Sequence, residues 1–250
     1  MTARTLGELL DEHIRLDHRV ACVGAFSGIV NDPSVLYACT LARGPKGRVT
    51  IIDAQSRELE SKMRGRIDCG RGKELTRGAL KKYWKITEHA GGRGNPELNR
   101  RELLWLFEGK GSRTSSLNFN PAQEASLRRQ GFRLPSVCIR HAGDTRLPDK
   151  HFNVLLDFGS LEWMKLSEVV GAIGEYRRIS GKTLIALRPD LVEHTGSYNQ
   201  WIEDAIAGLK PKRIQKLCVN NHYSLRLPGL AEPLKLQHSY GYDHVLVIDW

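Results

Sequence analysis

The absences in this 250-residue sequence narrow its function before any motif does. Cysteine is sparse: Cys22, Cys39, Cys69, Cys138 and Cys218 are odd in number and widely scattered. No CxxC or Cys/His metal spacing occurs among them, which excludes a zinc module and a disulfide-stapled scaffold and leaves reduced thiols. Four of the five lie in apolar stretches and read as packing residues. The nine histidines form no HxxxH or HxH pair, so no metal centre is expected. No apolar run approaches the ~20 residues that span a bilayer, so no membrane partner is expected. The opening MTARTLGELLDEHIRLDH carries acids and no continuous apolar core, unlike a secretory signal, and the expected location is cytoplasmic. No internal repeat is visible, which excludes a solenoid or propeller.

What is present describes a globular chain, with 40% hydrophobic and 26% charged residues. Its length suits one sizeable α/β domain with an elaboration. The net charge is +10, and most of it sits in one segment: residues 56–118 hold fifteen Lys/Arg against eight Asp/Glu. Two helices are expected there, over about 73–88 and 97–108, joined by glycine-rich basic pieces. The segment reads as a helical basic insertion, and RNA is an expected partner through its phosphates. Tyr83, Trp84 and Trp105 could stack on bases, but their helical spacing serves the insertion's own core equally well.

The rest of the chain is organised around Arg19 to Asp53. Val20–Val23 is a short apolar run with a β-branched residue at each end, the pattern of a buried parallel strand. A glycine turn follows over Gly24–Gly28. A helix is then expected, with Asn31 or Asp32 as its N-cap and Pro33 in its first turn, stopping at Gly44–Pro45. Arg48–Ile52 reads as a second strand with Asp53 at its tip. Such a βαβ unit is built to hold a nucleotide-like ligand: the turn lets backbone approach, and the carboxylate accepts from ribose hydroxyls.

An amphipathic helix is expected over 5–16, capped by Thr5, with Leu6, Leu9, Leu10 and Ile14 on one face. After the insertion the α/β rhythm resumes with a helix in PAQEASLRRQ (121–130). Strands are expected over 136–140, 152–156, TLIALRP (183–189), 213–219 and 245–250, and helices over about 165–179 and 197–209. Gly181 is expected to turn the chain into its strand. The final segments, separated by HSYGYD, look like an antiparallel hairpin completing the sheet.

With these elements in order, the chain resembles the class I S-adenosylmethionine-dependent methyltransferases over most of 19–55 and 120–250. VACVGAFSG is similar to that family's glycine motif: Gly24 and Gly28 match its first and last glycines, Phe26 replaces the middle one, and Cys22 stands where an acid is common. Asp53 matches the ribose-binding acid, and GDTRLP (143–148) the segment after the third strand. KHFNVLLDFGSLEW (150–163) resembles the fourth-strand region, with Asn153 in place of the usual Asp. EYRRISGKTLIALRP (175–189) resembles the helix-to-fifth-strand passage, with Gly181–Lys182 for a glycine pair.

The resemblance implies a Rossmann-like three-layer α/β sandwich with a mostly parallel seven-stranded sheet and an antiparallel last strand. One domain would comprise 1–55 and 119–250, with 56–118 as a lid or substrate-recognition insertion. It implies S-adenosylmethionine as cofactor. Gly24, Ala25, Phe26 and Gly28 would line its methionine end, Asp53 would bind its ribose, and Asp144 and Thr145 its adenine, with Ala54 also a cofactor-binding residue; Asp157 and Phe158 would lie near the transferred methyl. The acceptor stays open between RNA and a small molecule. Two other readings compete: a catalytically silent adaptor of the same fold, kept alive by Cys22 and Phe26, and a nicotinamide-dependent oxidoreductase. The GxGxxG fingerprint of the latter fails at Phe26 and Ile29.

Overall fold

A computed structural model of the chain describes residues 4–24, 33–53, 136–187, 198–225, 234–237 and 241–250. The basic segment 56–118, the helix expected from Pro121, the N-cap at Asn31 or Asp32, and Ala25, Phe26, Gly28 and Ala54 lie outside the described residues.

The chain opens with a two-residue strand, β1 (Arg4–Thr5), and helix α1 (Leu6–His13). Thr5 caps α1 as expected: its hydroxyl accepts the Glu8 N–H at 3.1 Å, and its own N–H donates to the Glu8 carboxylate at 2.9 Å. The helix stops short of residue 16 because residues 15–18 close a turn of their own, in which the His18 N–H donates to the Arg15 carbonyl and the Arg15 N–H to His18 Nδ1. Then come β2 (Arg19–Val23), α2 (Pro33–Leu41), β3 (Arg48–Asp53), β4 (Ser136–Ile139), β5 (Phe152–Asp157), α3 (Leu166–Ile179), β6 (Ser180–Leu187), α4 (Tyr198–Gly208), β7 (Arg213–Asn220), β8 (His222–Leu225), β9 (Leu234–Gln237) and β10 (His244–Asp249).

One eight-stranded sheet runs β1-β7-β10-β6-β5-β2-β3-β4. Seven strands were expected; the eighth is β1, a short edge addition pairing parallel to the end of β7. β2 pairs parallel with both β3 and β5, so the chain winds outward from β2 through β3 to β4 on one side and from β5 to β6 on the other. Right-handed crossovers in opposite directions place their helices on opposite faces. Accordingly α3 and α4 cover the face that holds Ala21, Val23, Leu155, Ile185 and Leu246, with Tyr176 fully buried beneath α3. The helix α2 packs against β2 and β3, and α1 against α2, giving the third layer.

β10 is the single antiparallel strand of the seven long ones, lying between β6 and β7. The last two expected strands, β7 and β10, do pair antiparallel and complete the sheet. The connection between them carries an unexpected pair: β9 joins β8 in a separate two-stranded sheet, and only β10 enters the main one. Side-chain pattern explains the choice. Val245, Leu246, Val247 and Ile248 are apolar on both faces and all buried, which suits a central strand. Leu-Lys-Leu-Gln in β9 alternates, which suits a strand with one polar face.

The passage from α3 to β6 differs as well. No turn is made at Gly181; the chain goes straight from helix to strand at Ser180, whose hydroxyl donates to the Tyr176 carbonyl at 2.7 Å. Lys150 Nζ donates to the carbonyls of Arg177 and Ser180, both at 2.8 Å, and so serves the end of the helix. A side chain at Gly181 would meet only ordinary van der Waals contact, so nothing here requires glycine.

Candidate functional site

In an open α/β sheet the ligand crevice lies outside the carboxyl ends of the strands, where the strand order reverses. Here the reversal lies between β2 and β5. Register fixes which residues reach that edge: Val23 pairs with Ile52 and Asp157, Asp53 with Ile139, and Asp157 with Ile185. Gly24, Asp53, the loop from Arg140 and the loop from Asp157 therefore lie along one edge.

Gly24 ends β2 at φ +68°, with its N–H donated to the Ile52 carbonyl at 2.8 Å. Only glycine takes this conformation without strain. A Cβ at Gly24 would also stand 2.4 Å from the Cβ of Ser160, so the turn after β2 runs directly against the loop after β5. The bare backbone at the reversal point is thus required by contact as well as by conformation. Asp53 is the last residue of β3, at the carboxyl end of that strand.

Asp144 and Thr145 adjoin in sequence but have different tasks. Asp144 is exposed, with Arg146 Nε 3.4 Å from its carboxylate. Thr145 is wholly buried; its N–H and hydroxyl both donate to Glu175 Oε1 on α3. Arg178 forks onto the same carboxylate, with Nη2 at 2.7 Å from Oε1 and Nε at 2.8 Å from Oε2. Burial works to raise the Glu175 pKa, but the bonds from Arg178 and Thr145 outweigh it and hold the carboxyl below its usual range. The loop that presents Asp144 is therefore tied to the helix layer through Thr145.

Asp157 is buried, 1% exposed, and its carboxylate is used by the fold. It accepts the Ser160 N–H at 2.8 Å, the Ser160 hydroxyl at 2.6 Å and the Tyr176 hydroxyl at 2.6 Å. Burial raises its pKa against the opposing effect of these bonds. Phe158 is buried too, and its carbonyl accepts the Tyr242 hydroxyl. Gly159, at φ +104°, leaves the space that Tyr242 enters, since a Cβ there would stand 2.7 Å from that hydroxyl. Asp157 and Phe158 shape the loop rather than offering free groups to a ligand through their carboxylate and carbonyl.

Ser160, Glu175, Tyr176 and Tyr242 carry this arrangement and were not singled out from the sequence. Their partners lie 3, 30, 19 and 84 residues away, and only the Asp157-x-x-Ser160 spacing is a local signal. Among the described residues, no group of three His, Cys, Asp or Glu converges to hold a metal ion, and no helix is long and apolar enough to cross a membrane.

No protein-family model and no curated protein matches the chain. Solved structures of similar outline exist at low identity. An S-adenosylmethionine-dependent O-methyltransferase from Thermotoga maritima aligns at 10% identity and TM-score 0.46, covering 98% of this chain but 62% of its own. A methyltransferase dependent on the same cofactor from Aquifex aeolicus aligns at 12% identity and TM-score 0.42, over 96% of this chain and 87% of its own. The precorrin-6y C5,15-methyltransferase of Geobacter metallireducens aligns at 10% and TM-score 0.42, over 97% and 85%.

Proposed function

We propose that the chain is an S-adenosylmethionine-dependent methyltransferase of the class I type. The observation that carries this reading is the sheet. Numbered from β2, its strands run 3-2-1-4-5-7-6 with the seventh reversed. The dinucleotide-binding sheet of nicotinamide enzymes runs 3-2-1-4-5-6 instead. An antiparallel strand between the fifth and sixth suits the methyltransferase reading and disfavours the oxidoreductase.

The residues fit the cofactor. The bare backbone at Gly24 gives close approach at the reversal point, which a Cβ would fill. Asp53 stands at the tip of the next strand for ribose hydroxyls, and exposed Asp144 follows the strand after that for the adenine amino group. The cofactor supplies an activated methyl group, so the protein's part is alignment and electrostatics. Glu175 and Thr145 hold the Asp144 loop, and Asp157 with Ser160 holds the loop facing Gly24. Ala25, Phe26, Gly28 and Ala54 complete this reading as neighbours of the cofactor. RNA is the acceptor we favour, on the basic excess of residues 56–118, with a small molecule as the competing acceptor.

Calorimetric titration with S-adenosylmethionine and, separately, with NADH tests the reading. Binding of the first alone is expected. Asp53→Ala and Asp144→Ala should each weaken it by roughly 10- to 100-fold, the worth of a hydrogen bond to a charged group, without lowering the unfolding temperature. Preference for NADH would overturn the reading, and binding of neither would favour the silent adaptor.

A further inference from the structure

The opposite edge of the sheet carries a second concave site, which the methyltransferase reading does not use. A cavity of about 330 Å³ is lined by Arg4, Glu12, His13 and Arg15 from the α1 region and by Lys182, Arg213, Gln215, Leu217 and Asp249 from the sheet. Its position follows from register. Asp249, at the end of β10, pairs with Lys182 at the start of β6 and with Arg213 at the start of β7, making one cross-strand row. Gln215 and Leu217 follow Arg213 at the two-residue spacing of one face of a strand. The row lies five residues along β6 from Leu187, roughly 17 Å from the carboxyl edge at ~3.3 Å per residue.

Charge decides what this cavity can hold. It gathers four permanent cations, Arg4, Arg15, Lys182 and Arg213, against two carboxylates. Both carboxylates are taken: Glu12 pairs with Arg4, and Asp249 lies 3.2 Å from Lys182. Lys182 also lies 3.3 Å from His13 Nδ1, which then accepts as a neutral ring. The guanidinium groups of Arg15 and Arg213 have no carboxylate partner among the described residues. Two guanidiniums without a carboxylate partner on a shared cavity, with Gln215 also in its lining, suit a doubly charged oxyanion. The volume is at the small end of ligand pockets yet exceeds what a bare anion needs.

We propose that this cavity binds a phosphate group carried on a nucleotide-sized molecule, with Arg15 and Arg213 as its ligands. Leu217 supplies an apolar wall for the rest of that molecule. A terminal monoester and a backbone phosphate of single-stranded RNA share this chemistry, and both are recognised by the guanidinium pair.

Titration of the full chain with AMP, with pyrophosphate and with a short single-stranded RNA tests the proposal and separates the sources. Arg213→Ala and Arg15→Ala should each weaken binding by about tenfold or more, whereas Arg213→Lys should lose less. S-Adenosylmethionine titrated into the same variants should bind as before, because its expected site is at the far edge; this keeps failure here distinct from failure of the methyltransferase reading. Loss of AMP binding in the variants assigns a monoester, and loss confined to RNA assigns a backbone phosphate. Failure of all three probes to bind, or binding indifferent to both arginine substitutions, would overturn the proposal.

Discussion

Asp157 shows how one buried side chain sets the geometry of the carboxyl edge. Its three hydrogen bonds join the loop after β5 to α3, and Ser160, which donates two of them, is the residue against which Gly24 lies. Replacing Tyr176 with Phe removes one donor and leaves the carboxylate buried. The expected cost is about 1–3 kcal/mol of stability. The sign of its pH dependence follows from the direction of the Asp157 shift. Burial raises this carboxyl above its unfolded value, so the folded state binds more protons there, and the contribution of Asp157 is fullest in acid and declines as pH rises through the folded pKa. Losing the Tyr176 bond raises the carboxyl further, so the deficit of Tyr176→Phe should widen from mildly acidic to neutral pH. Urea midpoints at the two pH values check this, and an equal deficit at both would show that Asp157 does not change protonation state between them. An aspartate at a strand tip is visible in a sequence; whether it faces a ligand or its own chain is not, because Tyr176 is brought to it by the packing of α3.

Among the elements, the β8–β9 pair is the least legible, since neither stretch reads as a strand in the sequence. The apolar run of β10 announces a buried strand and its antiparallel place beside β7, but not its slot against β6, because hydrophobic periodicity identifies an element and not all its partners. The elements with local signals are legible in the sequence: the Thr5 cap of α1, Pro33 opening α2, and the Asp-tipped strands β3 and β5. The α3–β6 junction was misread because glycine commonly ends helices, whereas here Ser180 and Lys150 serve that end. β10 is fastened by the residue after it. Trp250 is 8% exposed, its Nε1–H donates to Thr183 Oγ1 at 2.8 Å, and its N–H donates to the Gly181 carbonyl at 3.1 Å. Trp250→Ala should cost about 3–5 kcal/mol, lowering the unfolding temperature by roughly 10 °C in a chain of this size. A calorimetric scan checks it; an unchanged transition would mean that β10 is held by its ladder alone.

At the scale of the molecule, one continuous core runs across the sheet from β4 to β10, and the cysteines sample the sheet and α2. Cys22 in β2, Cys39 in α2 and Cys138 in β4 are buried, while Cys218 on β7 is exposed, with its sulfur 3.4 Å from His244 Nε2. The packing role expected of four cysteines thus holds for three; Cys218 shares the exposed face of β7 with Ile214 and Lys216, four and two residues before it. Burial pushes the Cys39 thiol up, away from the thiolate that alkylating reagents need. Iodoacetamide applied to the native chain should therefore modify Cys218 promptly and leave Cys22, Cys39 and Cys138 to react only through opening of the fold. If the sheet opens as a unit, those three should be protected alike in mass-spectrometric time courses. Each addition of denaturant should accelerate them together, because opening the sheet exposes the same surface for all three. Cys138 is the discriminating position, since among the described residues β4 pairs with β3 alone and lies at the end of the sheet away from β10. Early labelling of Cys138 with Cys22 still protected would show that the Asp144 side of the candidate site opens separately from β2. The cofactor contacts proposed for Asp53 and Asp144 would then have to close that side as well as bind.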